Sequence, residues 1–211
     1  MPNETAVSER RVDIVSNNEK LRLLTERQIR MKEDVRATRD LQQEKRERLN
    51  EVLAEFEASE GDVAPNVDEL AALEIGQTQV TSRATRLCRG FADVFEEYLL
   101  NRIDTSAAAE RLIPMLLERK RASSVIDDFD FEVYRPLVDG WRSGAFGDLD
   151  LVGRFLAMLA TVLDTAGTLS PDAGGAINEA RLMLESNDRP ASIKRAMAKQ
   201  DEVLKRLDDL L

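Results

Sequence analysis

The sequence predicts an all-α protein: a long antiparallel helical hairpin, coiled-coil-like, followed by a compact helical bundle and a closing amphipathic helix. Three observations carry this. Charged residues make up 33% of the 211 and aromatics only 5%, a mix typical of long helices rather than sandwiches or barrels. Residues 21–56 contain neither Gly nor Pro. Apolar side chains recur at alternating steps of three and four in three separate stretches, which is a heptad register.

Residues 1–16 are polar and mixed in charge and are expected to form a flexible N-terminus. The hairpin is expected over 17–104. Its first helix starts near Ser16 or Asn17, whose side chains suit capping. The register opens Leu21, Leu24, Gln28, Met31, Val35 and continues Thr38, Gln42, Lys45, Leu49, Val52, Phe56. Apolar residues hold its ends and polar ones its middle. Polar seam positions cost stability but restrict register and choice of partner. Gly61 and Pro65 break the helix, and Asn66 with Glu69 forms a capping box for the next.

The second helix, over 67–102, carries Leu70, Leu73, Gln77, Val80, Ala84, Leu87, Phe91, Val94 and Tyr98. Leu21-x-x-Leu24-x-x-x-Gln28 recurs seven heptads later as Leu70-x-x-Leu73-x-x-x-Gln77. The repeat is either an old duplication or ordinary coiled-coil grammar, and the grammar is the favoured reading. Two such helices joined by a short breaker fold back on each other, with arms of roughly 50–65 Å at about 1.5 Å per residue. The polar middle of the first arm then meets the second arm or a partner chain.

The bundle is expected over 105–188. Thr105 or Ser106 caps a short helix that Pro114 kinks. The next stretch holds Phe129, Phe131, Tyr134 and Trp141, and 143–148 is a turn. Residues 149–169 form the most apolar helix, too short and too interrupted by charge to span a membrane. Ser170 then caps a further helix with Pro171 in its first turn. Residues 189–211 form the amphipathic C-terminal helix, with Ile193, Met197, Gln200, Leu204, Leu207 and Leu211 on one register.

Composition excludes several chemistries. With no histidine there is no imidazole ligand, no Ser-His or Cys-His pair and no Glu-x-x-His di-iron signature. The single cysteine, Cys88, permits no intramolecular disulfide and is expected to be a packed thiol. Asp127, Asp128, Asp130 and Glu132 lack the spacing and the Gly of a calcium loop, and are expected to be a solvated turn and helix start. Glu96 and Glu97 diverge by about 100° on a helix and are expected to be a solvated face rather than an acid–base pair. Gly174-Gly175 lacks the strand and the Lys-Ser/Thr of a phosphate loop. No metal or cofactor is expected.

The formal net charge of -10 argues against nucleic acid and anionic membrane as partners. Residues 20–48 are locally basic, but they offer i,i+4 pairs such as Glu26 with Arg30 and lack aromatics that stack on bases. The N-terminus holds no apolar run suited to a signal peptide, so a cytoplasmic protein is expected.

The phrases Leu70-x-x-Leu73-x-x-x-Gln77 and Asp201-Glu202-Val203-Leu204-x-x-Leu207 resemble coiled-coil proteins of planctomycete bacteria that are encoded near MoxR-type ATPases and von Willebrand A-domain proteins. The resemblance covers the coiled-coil parts, carries no catalytic residue, and implies an envelope-associated scaffold. In topology alone, a long hairpin followed by shorter helices is similar to the ESCRT-III and phage-shock proteins.

The function expected is therefore a non-enzymatic scaffold or adaptor, pairing with itself as a homodimer or with an amphipathic helix of another protein. The residues expected to carry it are seam positions: Leu24, Met31, Val35, Leu49, Val52 and Phe56 facing Leu70, Leu73, Val80, Leu87 and Phe91. Leu204, Leu207 and Leu211 are expected to serve a partner. A self-assembling, membrane-remodelling protein that lays the basic first arm on anionic lipid is the alternative.

Overall fold

The computed structural model describes residues 17–58, 67–101, 103, 106–125, 128–147, 151–183 and 188–211. In chain order these form α1 (Asn17–Ala58), α2 (Val67–Leu100), α3 (Ala107–Ala122), α4 (Phe131–Arg142) and α5 (Leu151–Asp164). A π-helical turn (Thr165–Leu169), α6 (Ser170–Leu182) and α7 (Arg189–Asp208) complete the chain. No strand occurs among the described residues. The flexible N-terminus, the breaker at 60–66 with its capping box, Thr105, Asp127 and Asp148 lie outside the described residues, as does the side chain of Leu21.

The two long helices run antiparallel. Gln42 meets Gln77, Arg48 pairs with Glu69 near one end and Arg27 with Glu97 near the other. At about 1.5 Å per residue, the 42 residues of α1 span roughly 63 Å and the 34 of α2 roughly 51 Å. The apolar stripe of each helix is filled by two further rods. One is α5 through α6, which runs antiparallel to α2: Tyr98 packs on Phe155 at a ring separation of 4.5 Å, and Arg181 reaches Glu74 at 3.0 Å. The other is α7, antiparallel to α1, with Lys194 on Glu57, Arg46 forked onto Asp201 at 2.7 and 3.2 Å, and Arg39 on Asp208. The result is an up-down-up-down four-helix bundle whose members are α1, α2, α5–α6 and α7.

This arrangement corrects two expectations. The segments 17–104, 105–188 and 189–211 do not keep separate cores. One buried cluster joins Leu24 and Val35 of α1, Phe95 of α2, Leu112 of α3, Leu156 of α5 and Leu207 of α7. Nor does Ser170 begin a new helix. Its dihedrals are helical (φ -70, ψ -42) and its N–H bonds to the Thr165 carbonyl five residues back. The chain stays helical because the wider turn just before Pro171 absorbs a ring that would press on the carbonyl four residues earlier and a missing N–H.

The continuous rod, Val152–Leu182, has a mean hydropathy of 1.3 over its most apolar window. It is the one helix among the described residues long and apolar enough to cross a membrane, and 61% of that window is buried inside the protein.

The smaller helices close one end. Ser106 caps α3 by accepting from the Ala109 N–H at 3.1 Å, and Asp130 caps α4 from the Glu132 N–H at 2.9 Å. Pro114 and Pro136 lie inside these two helices. After α4 the chain turns through Gly144 and Gly147, both at positive φ (74° and 75°), which folds Phe146 back onto Gly140. A Cβ on Gly140 would lie 2.6 Å from the Phe146 ring, which is buried to 7% exposure. Gly140→Ala therefore lowers unfolding free energy by about 1–3 kcal/mol in urea titration. An unchanged midpoint would show that the turn does not pack there.

Candidate interaction site

The heptad register of α1 carries polar residues at its centre, and the structure shows what they meet. Gln42 is fully buried and forms a reciprocal amide pair with Gln77 of α2, at 3.3 and 2.9 Å. Gln200 of α7 donates to the same Gln77 oxygen at 3.0 Å, and Gln77 Nε2 also donates to Ser170 Oγ at 2.9 Å. Ser170 lies 2.7 Å from Thr81 Oγ1, which itself donates to the Gln77 carbonyl at 3.1 Å. The Ser170 hydrogen is therefore directed at Thr81. Every rod of the four-helix bundle contributes a polar side chain to this layer, α2 contributing both Gln77 and Thr81, and Gln77 is its hub.

The layer separates two apolar clusters. On one side Leu49, Val52 and Leu53 of α1 pack with Leu70, Leu73, Ile177 and Ile193. On the other lies the larger cluster that includes Val35, Val80, Phe95, Leu156 and Leu207. Inside each cluster any register that matches apolar to apolar is tolerable. Sliding one helix past the layer by a turn would bury an amide against a Leu, at about 1–3 kcal/mol per orphaned group. The Gln200 Oε1 has no hydrogen-bond partner among the described residues, so the layer itself is not fully satisfied.

The seam residues of the two arms are all buried: Leu24, Met31, Val35, Leu49, Val52 and Phe56 on α1, and Leu70, Leu73, Val80, Leu87 and Phe91 on α2. They fill the interior of this chain. Leu207 is fully buried in the same core, so it is not open to a partner as expected. Leu204 is half-buried, and Leu211 is 38% exposed. Of the polar seam positions, Thr38 is buried and donates to the Asp34 carbonyl at 2.7 Å. Gln28 is exposed, and the Lys45 stem lies across Gly76. The two copies of the Leu-x-x-Leu-x-x-x-Gln phrase thus have different surroundings. Leu24 lies in one apolar cluster and Leu70 and Leu73 in the other, while Gln28 faces outward and Gln77 is the hub.

A second polar cluster lies where α3 and α4 cover α2. Glu96, expected to be solvated, is only 13% exposed; it takes a hydrogen bond from the Tyr134 hydroxyl and an ion pair from Lys120 at 2.6 Å. Phe129 stacks on Tyr134 with ring centroids 5.0 Å apart. Lys120, Phe129 and Tyr134 border a cleft of about 380 Å³ that also takes in Arg89, Asp93, Ser123 and Asp130. Burial, then the bond to Glu96, push the Tyr134 phenol upward and hold it protonated. Partial desolvation, then the Glu96 charge, raises the carboxyl of Asp93, which is itself exposed. The Cys88 thiol, fully buried, is pushed up to about 12 by desolvation. Among the described residues no group of three His, Cys, Asp or Glu side chains is placed to hold a metal ion.

Comparison with known proteins returns no matching family, no matching curated protein and no matching solved structure.

The layer makes a two-part prediction. Gln77→Leu orphans amides of Gln42 and Gln200 and costs about 2–4 kcal/mol in chemical unfolding. Replacing Gln42, Gln77 and Gln200 together by Leu regains most of that loss, with broadened amide spectra as the register loosens. A Gln77→Leu variant as stable as the parent would show that the layer contributes nothing.

Asp93 gives a pH prediction. Its folded carboxyl binds a proton more tightly than the unfolded one, so stability falls as pH rises from the unfolded value of 3.8 through the folded one. Asp93→Asn removes that loss. It raises the melting temperature at neutral pH and leaves it unchanged in strong acid, and a drop at neutral pH would contradict this. Cys88, in turn, reacts with thiol reagents at mildly alkaline pH no faster than the protein unfolds.

Proposed function

We propose that the protein is a non-enzymatic scaffold or adaptor that acts through helix–helix contacts and associates with a second copy of itself. One observation carries the reading. The two longest helices lie side by side, and the side they share away from α6 and α7 leaves Ile75 63% exposed. Long rods packed side by side give reach and a repeating surface, which suits holding proteins together. The chemistry-bearing groups support it too: Cys88 is buried, the Tyr134 phenol is tied to Glu96, and Gln77 is saturated by its neighbours. The resemblance of the arms to planctomycete coiled-coil scaffolds points the same way.

The alternative is a self-assembling protein that lays α1 on anionic lipid. It is favoured by Arg30, Lys32 and Arg36, which are exposed and have no ion-pair partner among the described residues, with Ile29 beside them at 56% exposed. Such binding is salt-sensitive.

Mass in solution by light scattering, across concentration and salt, separates the two readings. The scaffold reading expects a dimer that dissociates on dilution, with no pelleting on anionic vesicles. A mass that climbs without limit, with salt-sensitive pelleting, transfers the assignment to the alternative. A strict monomer that also ignores vesicles overturns both.

A further inference from the structure

The buried stripes of α1 and α2 have a counterpart on the outer side of the hairpin. Ala72, Ile75, Gln79, Ser82 and Arg86 follow steps of three and four along α2, and all are exposed. Asp34, Ala37, Leu41, Glu44, Arg48 and Glu51 do the same along α1, and all but the half-buried Leu41 are exposed. Side chains at these steps share one helix face. The sequence therefore writes two registers on the hairpin. The first is used inside the chain, and none of the described helices covers the second.

Two grooves between α1 and α2 open on this side. One, of about 250 Å³, is lined by Asp34, Thr38, Arg83 and Arg86. The other, of about 330 Å³, is lined by Glu44, Glu47, Glu51 and Glu69 with Lys45 and Arg48. Their centres are about 12 residues apart along α1, or roughly 18 Å. Midway lie Leu41 and Gln79, with Ile75 close by. Arg86 has no ion-pair partner among the described residues, and Arg83 reaches only the Ala37 carbonyl, at 3.4 Å.

We infer that this outer face is the dimer surface, and that its occupant is a second copy of the same chain, docked antiparallel about a two-fold axis through the Leu41–Gln79 level. The argument is charge complementarity. A two-fold axis at that level carries the basic groove of one copy onto the acidic groove of the other, twice. Arg83 and Arg86 then approach the acidic groove from the α2 side; within it Glu44 pairs with Lys45 and Glu51 with Arg48, and Glu47 has no ion pair among the described residues. The exceptions match as well, because Asp34 in the basic groove meets Lys45 and Arg48 in the acidic one. Leu41 meets its own counterpart at the axis, and Ile75 lies about four residues, or roughly 6 Å, from it. A parallel pairing would set like charges against each other.

The strip from Asp34 to Glu51, two helices wide, offers roughly 500 Å² per copy, below the ~800 Å² of a standard interface. The dimer is accordingly reversible, and its dissociation constant rises about tenfold or more from low to high salt.

The inference rests on the self-association proposed above and adds the surface and the symmetry. The test is a charge swap followed by sedimentation. Arg83→Glu with Arg86→Glu makes both grooves acidic; Glu47→Lys with Glu51→Lys makes both basic. Each double variant alone is expected to sediment as a monomer, and an equimolar mixture of the two as a dimer. A chain carrying all four changes is expected to dimerise with itself again.

All these side chains are at the surface, so melting temperatures near the parent's are expected. Should a double variant unfold, Arg86→Glu and Glu47→Lys as single changes repeat the test. A parent dimer that survives both reversals overturns this surface and leaves the scaffold reading standing. A parent that never dimerises removes the self-association itself. A mixture that stays monomeric while each variant is folded overturns the antiparallel pairing.

Discussion

The fully buried Gln77 amide is the constraint on which the arrangement depends. It uses both its oxygen and its nitrogen on three other helices: Gln42 on α1, Gln200 on α7 and Ser170 at the head of α6. Net gains from individual hydrogen bonds are about 1 kcal/mol each, so the layer is a minor source of stability beside the apolar clusters flanking it. Its effect is on choice. Four rods with Leu, Val and Ala on their inner faces have several near-equivalent packings, and an amide that must find three partners at one level removes most of them.

The layer in turn depends on a backbone irregularity. Ser170 reaches Gln77 because the helix from Val152 to Leu182 does not end at Pro171. The π-helical turn shifts the register by a fraction of a turn there. Thr165, Ala166, Leu169 and Ser170 all face inward as a result. Gly167 lies on the opposite side of that turn, where a Cβ would come within 3.1 Å of Arg135 and 3.4 Å of Phe131. One local widening thus supports both the polar layer on the inside and the docking of α4 on the outside.

Charge follows a separate logic. Most of the ion pairs are exposed and individually weak. Several of them tie α7 to α1, at Glu57, Arg46 and Arg39, and so repeat along the surface the register set by Gln200 inside. Along the outer side of the hairpin the charges instead separate, basic near Arg83 and acidic near Glu47.

The sequence by itself determined that the chain is helical, where the long helices run, and which stripe each buries. The alternating steps from Leu24 to Phe56 and from Leu70 to Phe91 mark side chains that are buried in the structure, except Gln28, which is exposed, and Lys45, which is half-buried. It also marked Gln42, Gln77 and Gln200 as polar seam positions, because periodicity is a local property that one helix displays alone. Three features were decided only by tertiary structure. Ser170 carries the ordinary signature of a helix cap before Pro171, and only packing against Gln77 and Thr81 makes it an interior residue. Glu96 looks solvated until Lys120 and Tyr134 arrive from helices distant in the chain. Leu207 reads as a free seam position until α7 is known to lie against α1. In each case the deciding partner comes from another helix, and a pattern within one helix does not encode which neighbour will cover it.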